Sequence, residues 1–435
     1  MDTGPHESQR QARFLWLLPG LRPPVAMTVL QERVFLLVGV AALFGGYDMA
    51  IYGLAIPQIQ LSLHIPEDRV AVTVTFFRLA AIAAILLTYT ADIVGRRRLL
   101  LITIFGQAIA TLGTAFSGTY EQFVLWQVAT RVCGYAEEMV SIVVIMEEIA
   151  AGARGWAAGT FAAMDSTGAG VASLVFFFVN ALPFGWRAIY VIGSLPLFLV
   201  AFLRRRLPET RRFEAEEAIH SLESRVSQAL ALLRLLISEY PARVAGISLT
   251  VSAYGFAFGP AVVLMSKYLQ QTQHYTPGQV TMLFVPGGFI SLVVSILAGR
   301  LSDRLGRKGV IIGTALVGAA CFALFYSGLS GWLIPVLWIA AMAGYFTADA
   351  LLAGFASEIV PTAYRATVSG LRYTLGTLSG AVSLALEGVF YDWLGGHGPA
   401  VMLPLAAIPL ALLAILLLPE PAGKTLEEMT PQAAP

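Results

Sequence analysis

The chain has 435 residues, of which 57% are hydrophobic and 13% are charged, and its formal net charge is +1. Charged residues make up about a quarter of an ordinary soluble protein, so the composition excludes that class and favours a membrane protein. The near-neutral charge provides neither a basic excess for a nucleic-acid partner nor an acidic tail.

Apolar segments long enough to cross a bilayer recur along the chain. A transmembrane helix needs about 20 predominantly apolar residues, and twelve segments qualify. The predicted spans are 34–58, 70–91, 98–117, 121–147, 155–182, 187–204, 243–267, 278–300, 309–328, 332–358, 365–391 and 399–418. They predict an all-α membrane protein with two six-helix halves, 34–205 and 243–418. The tails 1–33 and 419–435 and the linker 206–242 complete the chain, and helical spacing of apolar residues predicts an amphipathic helix in the linker.

The placement of Lys and Arg predicts the orientation of the chain. All but six of the 28 basic residues fall in stretches that are cytoplasmic if the N-terminus is inside. Short cytoplasmic loops are enriched in Lys and Arg, so we expect both termini in the cytoplasm and the protein in the plasma (inner) membrane. The exceptions are Arg69, Arg78, Arg131, Arg187, Lys267 and Arg372.

Matching motifs separated by 211 residues reveal an internal repeat. The stretch "ADIVGRRR" at 91–98 matches "SDRLGRKG" at 302–309. The same separation relates Glu147 to Glu358, Arg154 to Arg365, and Pro208-Glu209 to Pro419-Glu420. Two parallel repeats of six helices predict a substrate site near the membrane midplane, between the halves.

These motifs resemble those of the major facilitator superfamily of secondary transporters. That family's loop motif, Gly-x-x-x-Asp-x-x-Gly-Arg-Lys/Arg, is complete in the second half, and Thr88 replaces its first Gly in the first half. The stretches "PETRR" and "SEIVPT" resemble the branch of sugar porters and of organic-acid and aromatic-acid proton symporters. The resemblance implies a gate and a cytoplasmic charge network formed by Asp92, Gly95, Arg96, Arg97, Glu147, Arg154, Gly299, Asp303, Gly306, Arg307, Lys308, Glu358 and Arg365.

Ionisable residues also occur inside the predicted spans, where a charge costs roughly 2.5–3.5 kcal/mol on insertion scales. Asp48 and Arg131 resemble the acid and arginine that couple protons in sugar-porter-like symporters. Pairing with Arg131 and protonation are alternative ways to stabilise Asp48, so a proton can act as a switch. The alternative interpretation is a permanent structural ion pair. Arg78 is expected either to replace Arg131 as the partner or to bind a substrate carboxylate.

Further cavity candidates have two interpretations each. Glu138 and Asp349 lie 211 residues apart and either face the cavity as a quasi-symmetric pair or make internal contacts, with Asp349 paired to Arg372. Asp165 is either protonated and packed among small residues or lines the cavity. Tyr47 and Tyr254 either contact the substrate or pack within the helix bundle, and packing is the commoner role of membrane aromatics.

The sequence contains no nucleotide-binding loop, metal-ligand spacing or catalytic triad, so we expect neither an enzyme nor a cofactor. We predict a proton-coupled symporter of a small organic anion that works by alternating access. A guanidinium matches carboxylate geometry, and the expected partners are the substrate, protons and the lipid bilayer, with a monomeric chain. Transport of a sugar or a cationic metabolite is the alternative, and a receptor that binds without transporting is the alternative from another class.

Overall fold

The computed structural model describes residues 22–89, 95–149, 153–205, 222–361 and 364–421. Helices account for nearly all of these residues. In chain order they are α1 (Val29–Leu63), α2 (Glu67–Tyr89), α3 (Arg96–Ala115), α4 (Tyr120–Glu148), α5 (Arg154–Phe177), α6 (Trp186–Arg204), α7 (Leu222–Glu239), α8 (Pro241–Val263), α9 (Met265–Gln271), α10 (Pro277–Leu305), α11 (Arg307–Tyr326), α12 (Leu333–Glu358), α13 (Arg365–Leu394), α14 (His397–Leu405) and α15 (Ile408–Leu416).

The chain divides into two compact units. The first contains Met1–His64 and Leu79–Leu222, and the second contains Ile65–Arg78 and Glu223–Pro435. The boundary in the linker lies within the predicted linker range. Helix α2 is divided, because its first part belongs to the second unit.

Equivalent helices of the repeat pack together in each unit. In the first unit α1 packs on α5 and α3 packs on α4, and in the second unit α8 packs on α13 and α11 packs on α12. Small residues let the backbones approach closely, as they commonly do in membrane helix pairs. A Cβ atom added to Gly168 of α5 would overlap the Leu43 carbonyl of α1, and one added to Gly255 of α8 would overlap the Gly376 carbonyl of α13.

Local signals explain where helices begin and break relative to the predicted spans. Helix α1 begins before the predicted residue 34, because the Thr28 hydroxyl accepts a hydrogen bond from the Gln31 amide (3.2 Å) and the Gln31 side chain accepts one from the Thr28 amide (3.0 Å). This capping box satisfies two amides at the helix start. The predicted span 399–418 is broken between α14 and α15, since Pro409 cannot donate to the Leu405 carbonyl.

Ten of the described helical segments are long and apolar enough to cross a membrane, counting α8 with α9 and α14 with α15 as one segment each. Helices α4 and α13 fall outside this set, although both coincide with predicted spans. In the linker, α7 lies where an amphipathic helix is predicted, and residues 206–221 lie outside the described part of the chain.

Candidate functional site

Asp48 lies in the middle of α1 and is one of the most deeply buried acids of the first unit, with 1% of its surface exposed. Its Oδ1 accepts a hydrogen bond from the Thr111 hydroxyl of α3 (3.1 Å). Its Oδ2 has no hydrogen-bond partner among the described residues. A buried carboxylate with a vacant oxygen has a place for a proton, because the protonated form needs far less solvation than the charged form.

Arg131 of α4 is the cation whose charge acts on Asp48. Its guanidinium donates to the Met49 carbonyl (3.3 Å) and to the Gln127 side chain (3.5 Å), and it also contacts the Met49 sulfur. The hydrogen bond to Asp48 therefore comes from Thr111, while Arg131 is anchored beside it. The buried hydroxyl of Tyr190, on α6, belongs to the same electrostatic cluster and has no hydrogen-bond partner among the described residues.

Glu137 belongs to a separate buried network, six residues after Arg131 on α4. The Arg204 guanidinium of α6 donates to its carboxylate at 2.6 Å. The hydroxyls of Thr103 (2.9 Å) and Ser141 (3.0 Å) also donate to it. Arg204 has a further bond to the Leu37 carbonyl of α1 (3.1 Å), so this network ties four helices together.

Glu138 and Asp165 differ from Glu137, because neither carboxylate makes a hydrogen bond or ion pair within the described part of the chain. Glu138 is exposed and Asp165 is partly exposed, and the two charges act on each other. The internal hydrogen bond that one interpretation assigned to Glu138 is instead made by its neighbour. Glu138 and Asp165 thus form an open acidic pair on α4 and α5.

In the second unit, three charged side chains act on Tyr345. Asp349 of α12 and Arg372 of α13 form an ion pair at 3.0 Å. Arg78 of α2 lies against α13, where a Cβ atom on Gly380 would overlap its guanidinium. Arg78, Arg372 and Asp349 all act on Tyr345, so this region contains two cations and one anion. Arg78 therefore belongs to a different unit from Asp48 and Arg131.

Tyr47 and Tyr254 are buried and bonded to the backbone of neighbouring helices. The Tyr47 hydroxyl donates to the Ile189 carbonyl at 2.9 Å, and the Tyr254 hydroxyl donates to the Tyr345 carbonyl at 2.7 Å. Tyr254 also stacks on the Tyr345 ring, with the centroids 5.9 Å apart. These contacts give both tyrosines a role in helix packing.

The loop-motif residues make the same contacts in the two units. Arg96 pairs with Glu147 (3.1 Å) in the first unit, and at the equivalent positions Arg307 pairs with Glu358 (3.0 Å) in the second. Gly95 and Gly306 each begin the following helix with φ close to +100°. A further contact is equivalent in the two units. Arg97 donates to the Arg205 carbonyl (2.5 Å) in the first unit, and 211 residues later Lys308 donates to the Leu416 carbonyl (2.8 Å) in the second.

The second unit contains the more completely described charge network. Asp303 and Ser302 also contact the Arg307 guanidinium, and the Glu420 carboxylate accepts hydrogen bonds from the backbone amides of Arg307 (2.8 Å) and Lys308 (3.1 Å). An anion at a helix start is favourable, because those amides have no partner within the helix.

The remaining motif residues have fewer contacts. Arg154 donates to the Ile149 carbonyl (3.2 Å), and the Nε atom of the equivalent Arg365 has no hydrogen-bond partner among the described residues. Gly299 faces open space, since a Cβ atom there would meet nothing within 4 Å. Asp92 lies outside the described residues.

Among the polar residues of these networks that were not predicted as site residues are Thr111, Tyr190, Arg204 and Glu420. Thr111 and Tyr190 gave no signal, because single hydroxyl groups are common in membrane helices. Arg204 lies at the end of α6 among other arginines, which masks its pairing with Glu137. Glu420 does have a signal, since it belongs to the repeated Pro-Glu pair.

Long apolar helices, a repeated six-helix organisation and charged side chains buried within the helices define a multi-pass membrane transporter rather than an enzyme. The chain belongs to the Major Facilitator Superfamily, whose family profile matches residues 38–384. This finding confirms the family, the fold class and the integral membrane location predicted from the sequence. The orientation of the termini stays a prediction.

Similar proteins agree with this assignment. The chain is 25% identical over 396 residues to a probable 4-methylmuconolactone transporter of Cupriavidus pinatubonensis, covering 88% of this chain and 89% of that one. It is 26% identical to the citrate-proton symporter of Klebsiella pneumoniae, covering 69% of this chain and 70% of that one. The crystal structure of a D-xylose-proton symporter superposes with a TM-score of 0.73 at 18% identity, over 91% of this chain and 99% of that one.

Proposed function

We propose that this transporter is a proton-coupled symporter of a small organic anion, that it works by alternating access, and that Asp48 carries the coupled proton. The observation that carries the proposal is the buried Asp48 carboxylate, with Thr111 on one oxygen and no partner among the described residues on the other. The Arg131 charge acts on it without occupying that oxygen. Protonation and attraction to Arg131 are thus alternative ways to stabilise the same group.

The charges of the second unit support an anionic substrate. Arg78 and Arg372 supply two guanidiniums near Tyr345, and Asp349 supplies one carboxylate. Guanidinium binds a carboxylate in a two-point geometry, so these two cations suit an anionic substrate. Citrate, the substrate named for one relative, carries such groups. We propose that Arg78 contacts the substrate and that Arg372 is positioned by Asp349.

The open acidic pair supports a second candidate, transport of a cationic or zwitterionic metabolite. Glu138 and Asp165 lie in the first unit with no cation bound to either within the described part of the chain. A positively charged group on the substrate would be attracted to both carboxylates. A suitable uptake panel therefore contains two organic anions, benzoate and citrate, one neutral sugar, xylose, and one zwitterion, betaine.

The decisive experiment is uptake into proteoliposomes with an imposed inward proton gradient. The parent is expected to accumulate an anion of the panel, and Asp48→Asn is expected to exchange that anion across the membrane without accumulating it. The asparagine accepts the Thr111 hydrogen bond and carries no exchangeable proton. Glu121→Gln, at an exposed acid in the first turn of α4, is the control and should accumulate like the parent.

The possible outcomes separate the alternatives. Accumulation by Asp48→Asn equal to that of the parent would overturn the role of Asp48. Accumulation of xylose alone would favour a sugar transporter, and accumulation of betaine alone would favour the second candidate. Binding of a panel member without uptake would favour a receptor. We further propose that both termini are cytoplasmic and that the working unit is a monomer.

A further inference from the structure

Four ionisable side chains meet in the second unit, where α2, α9, α13 and α14 come together. Lys267 of α9 donates to Glu67 of α2 at 2.6 Å. One ring nitrogen of His397 lies 2.9 Å from the same Glu67 oxygen, and the other lies 2.7 Å from Glu387 of α13. We call Glu67, Lys267, Glu387 and His397 the Glu67 cluster.

The geometry of the cluster requires a proton in addition to those of a neutral imidazole and a lysine. Each ring nitrogen of His397 faces a carboxylate oxygen within hydrogen-bond distance. A neutral imidazole has one N–H donor and one lone pair, so with both carboxylates ionised one of these contacts would be repulsive. The contacts are satisfied when His397 is an imidazolium or when one carboxyl carries the proton. The cluster then has two positive and two negative charges.

Burial makes this proton consequential. Glu387 is 0% exposed and Lys267 is 1% exposed. The second oxygen of Glu387 has no hydrogen-bond partner among the described residues. The Glu67 side chain is 38% exposed, so water reaches one side of the cluster. Loss of the proton would leave a net charge of −1 shared with the fully buried Glu387, which is costly. Two tyrosines face the cluster: the ring of Tyr391 lies 4.4 Å from that of His397, and the Glu387 charge acts on Tyr326. Behind them, Asp392 acts on Tyr391 and Tyr268 acts on Tyr326.

The cluster is one of several attachments that hold the first part of α2 within the second unit. Residues 65–78 belong to that unit, whereas the rest of α2 belongs to the first. The Thr75 hydroxyl donates to the Ala381 carbonyl at 3.0 Å, and the Asp68 carbonyl lies so close to α13 that a Cβ atom on Gly388 would overlap it. Glu67 provides the charged attachment at the start of the helix.

We propose that the Glu67 cluster is a proton-binding site separate from Asp48, and that its proton keeps residues 65–78 attached to the second unit. On deprotonation, the His397 ring gives a proton to water and one nitrogen presents a lone pair to a carboxylate. The attachment at Glu67 or Glu387 weakens, and the start of α2 detaches more often. Transport then has a pH-dependent step that involves no contact with the substrate.

Hydrogen–deuterium exchange of peptides covering 65–78 tests the proposal in the full chain in lipid nanodiscs, without any substrate. Exchange, corrected for its intrinsic pH dependence, is compared from about pH 5.5 to about pH 8.5, a range that brackets ordinary histidine titration. The parent is expected to exchange about tenfold faster at the upper end, as one charge-assisted hydrogen bond is lost.

Two variants shift this behaviour in opposite directions. In Glu387→Gln the amide donates to a neutral His397, which still donates to Glu67, so slow exchange should persist at every pH. In His397→Gln one carboxylate loses its donor, so exchange should be faster at every pH. His274→Asn, at an exposed histidine with φ of 57°, is the control and should behave like the parent, since Asn tolerates this conformation. Two results would overturn the proposal: exchange in Glu387→Gln that increases with pH as much as it does in the parent, or exchange in the parent that does not change with pH. Neither result depends on Asp48.

Discussion

Arg307 and Glu358 form a two-point ion pair, with Nε at 3.0 Å from one carboxylate oxygen and Nη2 at 3.1 Å from the other. The equivalent pair in the first half, Arg96 and Glu147, has one contact at 3.1 Å but is more deeply buried. Both pairs join the start of one helix to the end of the next. Their equivalence makes the two halves a natural internal comparison for measurements of ion-pair strength.

A double-mutant cycle in each half should give unequal coupling energies. The side chains of Arg307 and Glu358 are 22% and 32% exposed, so the cycle Arg307→Gln with Glu358→Gln should give about 1 kcal/mol. The side chains of Arg96 and Glu147 are 6% and 9% exposed, and their cycle should give about 2–3 kcal/mol, the upper part of the usual range for contacting residues. Unfolding in mixed micelles measures both, and a larger value for the exposed pair would contradict the burial argument.

Removal of Arg204 should be among the most destabilising single changes in the first unit. Arg204→Met leaves the buried Glu137 carboxylate without its cation, and loss of one partner of a buried pair costs about 3–5 kcal/mol. Adding Glu137→Gln should recover much of that loss, because the neutral amide keeps contacts with Thr103 and Ser141. Thermal unfolding in detergent measures the difference, and a double variant less stable than Arg204→Met would contradict this account.

Gly306→Ala should destabilise α11 at its start. Gly306 has φ of 100°, and a Cβ atom would lie 3.4 Å from the Glu420 carboxylate. With ψ of 147° this is a backbone region that is essentially restricted to glycine, and an alanine there costs about 1–3 kcal/mol. Gly309→Ala is the matched control, because it lies inside the same helix with open space around it and should stabilise by roughly 0.5–1 kcal/mol. Equal effects of the two substitutions on the unfolding free energy would show that backbone conformation is not the cause.

Arg78→Gln should weaken the apparent affinity for an anionic substrate, because Arg78 is the guanidinium that we propose to contact it. Arg372→Gln is the comparison, since Arg372 forms an ion pair with Asp349 and is proposed to be positioned by it. Loss of one charged hydrogen bond to the substrate should raise KM about tenfold. Initial uptake rates of the anion found in the panel measure KM for each variant. An unchanged KM in Arg78→Gln would remove Arg78 from the substrate site.

The sequence predicts the number and order of the membrane helices well, because each is a property of its own segment. Repeat spacing also indicated which loop residues correspond, and Arg96 with Glu147 and Arg307 with Glu358 meet at the same separation. Helix boundaries were less predictable. The Thr28 capping box and the break at Pro409 each depend on one residue within a long apolar run.

Contacts between distant segments could not be predicted from spacing alone. Glu137 and Arg204 are 67 residues apart, and helical periodicity says which way each points but not which helix it faces. The same limit applies to Glu67 and His397, which are 330 residues apart and lie in different halves of the repeat. Which side chains meet depends on how the helices pack together. The repeat constrains that packing only for helix pairs that are equivalent in the two halves. The exposed Glu138 and the buried Glu137 show that neighbouring acids on one helix can have unrelated environments.

The contact between Glu420 and the first amides of α11 has a practical consequence for protein production. The chain after α15 is the source of that carboxylate, so a purification tag or fluorescent reporter joined directly after Leu418 would remove it. A fusion made beyond residue 421 would retain it. Expression level and melting temperature of the two fusions would differ even though no membrane helix had been altered.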